Sequence, residues 1–357
     1  VSIVHPVRRT TSVCVLADDL TGACDAAAAF ASRGARTLVS LNALREDDSL
    51  DVQALCTATR DADPIHAAAT LNFLVQSLPH GRFTEIFKKV DSVFRGNTFV
   101  EIAATIRAFP DRLAIIAPSF PAAGRTSADG MLHIQDLTGH QSIPLREGLR
   151  ATGVHPAWLA ATHDLRSLAA SMQQPAQAIF CEASDDQHLQ TIVQAARGLK
   201  LPILWIGSAG LAHALSAALY SRSASPAPRL PRGGLLLFTG SNHPVSLQQL
   251  ASLLTESVTV VHIERNVTSQ SQIREAASHI EHGTLLMNGG DTALQVCRAL
   301  GILALQILGE FAPGIPQATA CGGRFDGATV ILKSGGFGDA DLLCRIAALC
   351  TRSKDSL

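Results

Sequence analysis

Lysine is almost missing from this chain. Only Lys88, Lys89, Lys200, Lys333 and Lys354 carry an ammonium, and every other basic side chain is arginine. Where arginine serves nearly everywhere, a retained lysine marks a position suited to a compact ammonium rather than a planar fork. An excess of one charge is also lacking. The formal net charge is −1, so no global field draws in nucleic acid or an anionic membrane, and anions must be held by local groups. No uninterrupted apolar run reaches membrane-spanning length, and Val1 to Thr10 has no apolar core of signal-peptide size. The eight cysteines form no Cys-x-x-Cys pair and lie mostly in apolar runs, the pattern of buried thiols in a reducing compartment. The expectation is a soluble, cytoplasmic protein with no nucleic-acid and no membrane partner.

Missing motifs narrow the chemistry. There is no G-x-x-x-x-G-K-[ST] and no G-x-G-x-x-G after the first strand, which disfavours a P-loop NTPase and a Rossmann dehydrogenase. The thirteen histidines never adopt His-x-x-x-His or His-Glu-x-x-His spacing, so a zinc hydrolase is unsupported. Gly-x-Ser-x-Gly, the commonest esterase signal, is absent too.

What is present is apolar and alternating. Hydrophobic residues make up 47% and charged residues 17% of 357, enough for two domains with substantial cores. Strand-like runs at 13–16, 36–41, 52–57, 84–90, 113–117, 176–181 and 202–206 alternate with helical patterns at 64–78, 98–109, 185–197 and 208–220, as in a parallel α/β sheet. Residues 130–145 are rich in turn formers and read as a hairpin excursion. Ser221 to Gly234, with its prolines and serines, reads as a linker. Strands then recur at 235–239, 258–263, 284–287 and 328–332, with helices at 245–255, 269–280, 291–300 and 339–349.

Four kinds of stretch carry chemistry. In the first, Val13-Cys14-Val15-Leu16 leads through Ala17-Asp18-Asp19-Leu20-Thr21-Gly22-Ala23-Cys24-Asp25 into an alanine-rich helix. Ligands of open α/β sheets sit outside the carboxyl ends of the strands, where Asp18 and Asp19 fall. Asp19 or Thr21 also suits the helix cap, and because adjacent side chains diverge, one aspartate is free to cap while the other faces the crevice. In the second, Lys88-Lys89-Val90-Asp91-Ser92-Val93-Phe94-Arg95-Gly96-Asn97, strand alternation puts Lys89 rather than Lys88 on the side of Asp91. Arg95 in the following loop suits bidentate capture of a carboxylate, although a charged turn with a Lys–Asp surface pair explains the same residues. In the third, the prolines of Ala117 to Thr126 stiffen a loop that brings Arg125 towards the same crevice, or else form a rigid surface loop.

The fourth kind occurs three times in the second half. Thr239-Gly240-Ser241-Asn242, Asn288-Gly289-Gly290-Asp291-Thr292 and Lys333-Ser334-Gly335-Gly336-Phe337-Gly338-Asp339 each follow a strand and precede a helix. Backbone N–H groups at such turns bind phosphate, and three together favour a nucleotide site. Gly207-Ser208-Ala209-Gly210 opens a helix in the first half, where its glycines permit close packing, the safer reading, or a ligand's approach.

Together these stretches resemble the four-carbon acid sugar kinases, a family once catalogued as a domain of unknown function. Its motifs A-D-D-L-T-G-A-x-D, K-K-x-D-S-T-L-R-G-N, P-A-F-P-x-x-G-R-T and G-S-A-G-L-A match the first half, and G-S-x-S/N, G-G-E/D-T and K-S-G-G-F-G match the second. This chain departs at Val93 and Phe94, at Ala58 in Thr57-Ala58-Thr59-Arg60 where the family has T-D-S-R, and in a shortened run between Ser241 and Gly289.

The resemblance implies two α/β domains with mostly parallel sheets and a ligand site in the cleft between them. Residues 1–220 would bind a sugar acid, 221–234 would link, and 235–357, apparently shortened, would bind nucleotide. The implied reaction uses ATP and Mg2+ to phosphorylate the terminal hydroxyl of an acid such as D-threonate or D-erythronate. Candidate substrate residues are Arg60, Lys89, Asp91, Ser92, Arg95, Gly96 and Arg125. Candidate nucleotide residues are Ser241, Gly289, Gly290, Asp291, Thr292, Lys333, Gly335 and Gly336. Asp19 or Asp18 is the candidate base, with Asp91 an equally reachable carboxylate, and the metal ligands are unassigned. The partners are then the small-molecule acid and ATP, with room for a homodimer. Two alternatives stand beside this reading: a kinase of another oxidised or branched acid sugar, for example a 3-oxo acid, and a degenerate sugar-acid-binding protein without catalysis.

Overall fold

In chain order the first half runs β1 (Val13–Ala17), α1 (Leu20–Ala31), β2 (Thr37–Ser40), β3 (Val52–Cys56), α2 (Pro64–Gln76), β4 (Glu85–Lys89), α3 (Thr98–Ala108), β5 (Leu113–Ala117), β6 (Arg125–Ala128), β7 (Met131–Asp136), β8 (Gly139–Pro144), α4 (Leu145–Ala151), β9 (Ala157–Leu159), β10 (Ala178–Cys181), α5 (Asp186–Gly198), β11 (Ile203–Gly207) and α6 (Ala209–Leu219). The second half continues with β12 (Leu235–Thr239), α7 (Pro244–Ala251), β13 (Val258–His262), α8 (Gln270–Ser278), β14 (Thr284–Asn288), α9 (Gly290–Leu300), β15 (Ala304–Ala312), β16 (Ile315–Cys321), β17 (Thr329–Lys333) and α10 (Leu342–Thr351). This computed structural model describes residues 11–79, 81–136, 139–160, 178–221, 229–253, 258–264, 267–278 and 283–351. The expected features at 1–10, 222–228 within the linker, 176–177 and the ends of the helices read at 245–255 and 269–280 lie outside the described residues.

One sheet crosses the whole molecule in the order β13-β12-β14-β17-β16-β15-β2-β3-β1-β4-β11-β5-β10-β9. Both flanks are parallel blocks, and their central strands are mostly apolar because side chains on each face are covered. The blocks are joined by β15 and β16, an antiparallel pair in which β15 also runs antiparallel to β2. The fold is therefore α/β and mostly parallel. The hairpin expected at 130–145 is present as β7 and β8, which with β6 form a separate antiparallel sheet.

α1 lies at the seam. It packs against α6, β15 and α9, so it touches both halves, and every residue of it is buried except Asp25, which is half-buried with its Oδ1 inside. A helix that is apolar nearly all round belongs in an interior, and its alanines let neighbouring elements approach closely. A polar residue in such a helix calls for an explanation.

Candidate functional site between the two halves

The carboxyl end of β1 is organised by one guanidinium. Arg60 Nε donates to Asp18 Oδ2 at 2.7 Å, and its Nη1 donates to Asp19 Oδ2 at 2.8 Å. Its Nη2 donates to Asp19 Oδ1 at 2.9 Å and lies 3.3 Å from Asp91 Oδ2. Three aspartates thus share one cation. Burial alone would lower the Arg60 pKa, but Asp19, Asp18 and Asp91 together raise it above its ordinary value. Asp19 also caps α1, its Oδ1 accepting from Gly22 N at 2.8 Å and its Oδ2 from Thr21 Oγ1 at 2.7 Å. The two sequence readings of Asp19, cap and crevice residue, hold at once.

The lysine pair divides as strand alternation demands. Lys88 is fully buried and pairs with Glu101 of α3 at 2.6 Å, and Thr59 Oγ1 donates to the same carboxylate at 2.5 Å. That network pins the segment carrying Arg60 beneath the site. Lys89 faces the cleft beside Gly22, its Nζ donating to Val90 O at 2.9 Å. Asp91 Oδ2 receives Arg95 Nη2 at 2.6 Å, while its Oδ1 accepts from the backbone N–H of Val93 and Arg95 at 3.0 and 3.1 Å. Burial pushes the Asp91 carboxyl up, yet Arg60 and Arg95 outweigh it and hold it well below the usual carboxylate range. The Arg95 side chain, though bonded to Asp91, is 54% exposed, so one side of its guanidinium faces the cleft. Gly96 takes φ +62°, and a Cβ there would collide with the Arg60 carbonyl oxygen, so this close crossing of two site segments requires glycine. Ala58 also adopts a positive φ of 54°, a conformation that the aspartate of the family motif tolerates better than alanine.

In the second half the expected loops converge at the carboxyl ends of β12, β14 and β17. Ser241 packs against Gly335 and Gly289, and the ring of His243, which the sequence reading passed over, packs against Gly336. Gly289 precedes α9, and its N–H donates to Lys333 O at 2.8 Å. Lys333 lies beneath this loop with no exposure, where its Nζ donates to Ser334 O at 3.2 Å, Gly335 O at 3.0 Å and Ser246 Oγ at 3.2 Å. Burial lowers its pKa to about 7. Lys333, a candidate nucleotide residue, props the loop from inside, with its ammonium on carbonyl and hydroxyl oxygens. Thr292 is buried against Gly240, whereas Asp291 lines the cleft.

The halves meet at Gly290. A Cβ there would strike Asp19 Oδ2, so the N-terminus of α9 abuts the capped N-terminus of α1. On one side of this contact, a cavity of about 450 Å³ is lined by Asp18, Arg60, Asp291, Gln270, Gln295 and Arg298. On the other, a space of only about 20 Å³ is enclosed by Asp25, Lys89, Asp91, Ser92, Arg95 and Phe337. Arg125 feels the charges of Asp91 and Arg95 but does not line the space that holds them. It lines a third cavity of about 310 Å³ behind Phe337, with its guanidinium 5.5 Å from the centre of that ring and 3.5 Å from Asp136 Oδ2. Phe337 also lies 6.2 Å from Phe120, so the glycine loop reaches across the cleft and closes on the first half. Among the described residues no cluster of three or more His, Cys, Asp or Glu is suited to a metal ion, and no helix is long and apolar enough to cross a membrane.

Known proteins resemble this chain over nearly its full length. A D-threonate kinase of Cupriavidus necator is 29% identical, with 95% of this chain and 98% of the relative covered. A D-erythronate kinase of Heliobacterium modesticaldum is 23% identical over 94% and 96%, and a 3-oxo-tetronate kinase of Pectobacterium atrosepticum is 25% identical over 93% and 97%. The first of these alignments spans 415 residues, more than this chain contains, so the relative carries residues that are missing here. A solved Haemophilus influenzae protein shares the fold, with TM-score 0.67 and 18% identity over 92% of this chain and 97% of that one. A Bordetella bronchiseptica protein, solved with bound citrate as a domain-swapped dimer, is 27% identical with TM-score 0.51 over 95% and 98%. The sugar-binding N-terminal domain family matches residues 13–215, and the nucleotide-binding C-terminal domain family matches 270–343. With more than half of its length matched by the first of these alone, the chain belongs to the family that joins a sugar-binding N-terminal domain to a nucleotide-binding C-terminal domain.

Proposed function

We propose that this protein is a kinase that uses ATP to phosphorylate the terminal hydroxyl of a four-carbon acid sugar of the D-threonate or D-erythronate class. The observation that carries the reading is the contact at Gly290, where a wall of paired carboxylates and cations meets a wall of glycine loops. We assign the acid to residues 1–220 and the nucleotide to 235–357, with 221–234 between them. Lys89 and Arg95 offer an ammonium and a planar fork to a carboxylate and its neighbouring hydroxyls, with Ser92 beside them. Citrate in the Bordetella relative, itself a hydroxy acid, supports an acid-reading site.

The second-half residues fit a polyphosphate. Ser241, Gly289, Gly335 and Gly336 are gathered at neighbouring strand ends, Lys333 stiffens their loop from below, and the N-terminus of α9 points its partial positive charge into the cleft. When bound, ATP would supply the phosphoryl group and Mg2+ would neutralise phosphate charge, the usual form where the protein offers few dedicated ligands. The work left to the chain is positioning and charge neutralisation. Arg60 holds Asp18, Asp19 and Asp91 in one array, Lys89 and Arg95 orient the acid, and the Phe337 loop excludes water. The space between Lys89 and Phe337 is about the size of one water molecule, so entry of a tetronate requires that loop to withdraw.

The shortened run between Ser241 and Gly289 favours one rival, a protein that binds the acid without catalysis. Against it, β12 pairs in parallel with both β13 and β14 across that run. The eight free thiols fit our placement of the protein in the cytoplasm. The Bordetella dimer supports a homodimer, which light scattering would test. The deciding experiment is ATP consumption across D-threonate, D-erythronate, their 3-oxo forms and five-carbon aldonates. Mg-dependent ADP release with a four-carbon acid alone is expected, and preference for an oxo acid would move the substrate within the family. Failure of ATP to bind at millimolar concentration in calorimetry would instead leave the acid-binding protein.

A further inference from the structure

Three carboxylates line the space that also holds Lys89, Ser92 and Arg95: Asp19, Asp91 and Asp25. A base needs a free lone pair, and two of the three have none to spare. Each oxygen of Asp19 accepts from Arg60 and from one group of its own helix turn, Thr21 Oγ1 or Gly22 N. Asp91 is held by Arg95, by two backbone N–H groups and by Arg60, which keeps it ionised but engaged. Asp25 differs. It lies one helical turn beyond Gly22 on the face of α1 that meets the cleft, and its buried Oδ1 has no hydrogen-bond partner. A buried acceptor left unpaired costs stability, which is tolerated where function uses it.

Building on the kinase reading, we propose that Asp25 is the catalytic base of the phosphoryl transfer. As the terminal O–H bond of the acid breaks, the proton passes to Asp25 Oδ1. The hydroxyl oxygen bonds to the γ-phosphorus, and the bridging P–O bond breaks with its electrons leaving on ADP. The surroundings suit the task. Burial raises the Asp25 carboxyl to about 6, Lys89 on β4 pulls it back, Glu310 on β15 raises it, His213 on α6 lowers it and Asp19 on its own helix raises it. A base poised slightly below neutrality is ionised in the cell and still binds a proton well. Beyond it, His213 and Glu310 form a partly exposed pair at 3.5 Å, which gives the seam a polar edge towards solvent.

Asp25→Asn tests the assignment with a near-isosteric side chain that cannot accept the proton as a carboxylate does. Turnover should fall by about 10²–10⁴-fold while the dissociation constants of acid and ATP stay within about threefold. Wild-type kcat should fall on the acid side of about pH 6, and this limb should be missing from the residual activity of Asp25→Asn but kept by Asp19→Asn. Asp25→Glu should recover part of the lost rate. Near-wild-type turnover in a folded Asp25→Asn, or an acid limb that survives in it, overturns the proposal. If Asp25→Asn fails to fold, the wild-type profile decides alone, and no acid limb between about pH 5 and 7.5 overturns the proposal. A wild type without turnover on any acid removes the kinase reading itself, whereas an active wild type with an active Asp25→Asn removes only the base.

Discussion

Along the first-half wall of the cleft, charged side chains hold one another in place. Along the second-half wall, strand-end loops rich in glycine present little beyond backbone. Arg60, Asp18, Asp19, Asp91 and Arg95 form a connected array with hardly a spare donor or acceptor. Ser241, Gly289, Gly335 and Gly336 are drawn together by a buried lysine that never meets solvent. The difference fits the proposed division between acid and nucleotide. A small acid with stereochemically placed hydroxyls needs directional side chains, while a polyphosphate is met by any run of N–H groups at a helix start.

Arg60→Ala should break the first wall most severely. It leaves three buried carboxylates sharing a site without their common cation, a loss of about 3–5 kcal/mol by analogy with halved buried ion pairs. Urea denaturation at pH 7 measures it, and a loss below about 1 kcal/mol would show that Arg95 suffices alone. Gly290→Ala tests the contact between walls. Its methyl group collides with the Asp19 carboxylate, so α9 must shift, and kcat/KM should fall about 10²-fold with the melting transition nearly unmoved. Asp25→Asn sharpens the comparison from the stability side. Because the folded carboxyl is raised to about 6, its ionisation is penalised in the native state, so wild-type stability declines as pH rises from its unfolded value through the folded one. The variant escapes that decline. It should match wild type near pH 4 and gain about 1–2 kcal/mol at pH 8, where denaturation curves would show it.

The parts of this site legible in the sequence were those set by local period. Strand alternation separated Lys88 from Lys89, and the turn after β1 placed Asp19 at a helix start. Nonlocal pairing was not legible. Residues 304–321 gave no clear element because β15 is an irregular antiparallel strand with register shifts near Gly309 and Glu310, stabilised by β16 and β2 rather than by its own pattern. The burial of Lys333 was not legible either, because it depends on Ser246 and Asn288, far away in sequence. Asp25 stood in the opening motif and went unselected as a base. Its isolation arises from burial at the seam, against Lys89 of β4 and Glu310 of β15. The hold of Arg60 on Asp19, across 41 residues of sequence, was equally out of reach of any local pattern.

The division of labour between the walls is tested most directly by calorimetry on Arg95→Ala, titrated separately with a four-carbon sugar acid and with an unreactive ATP analogue. Arg95 is the most exposed cation of the first wall, and Arg60 remains to hold Asp91, so the fold should be little disturbed. A charge-assisted pair is worth about 1.5–3 kcal/mol, so the acid should bind about one to two decades more weakly while nucleotide affinity is unchanged. Equal weakening of both ligands, or of nucleotide alone, would contradict the account.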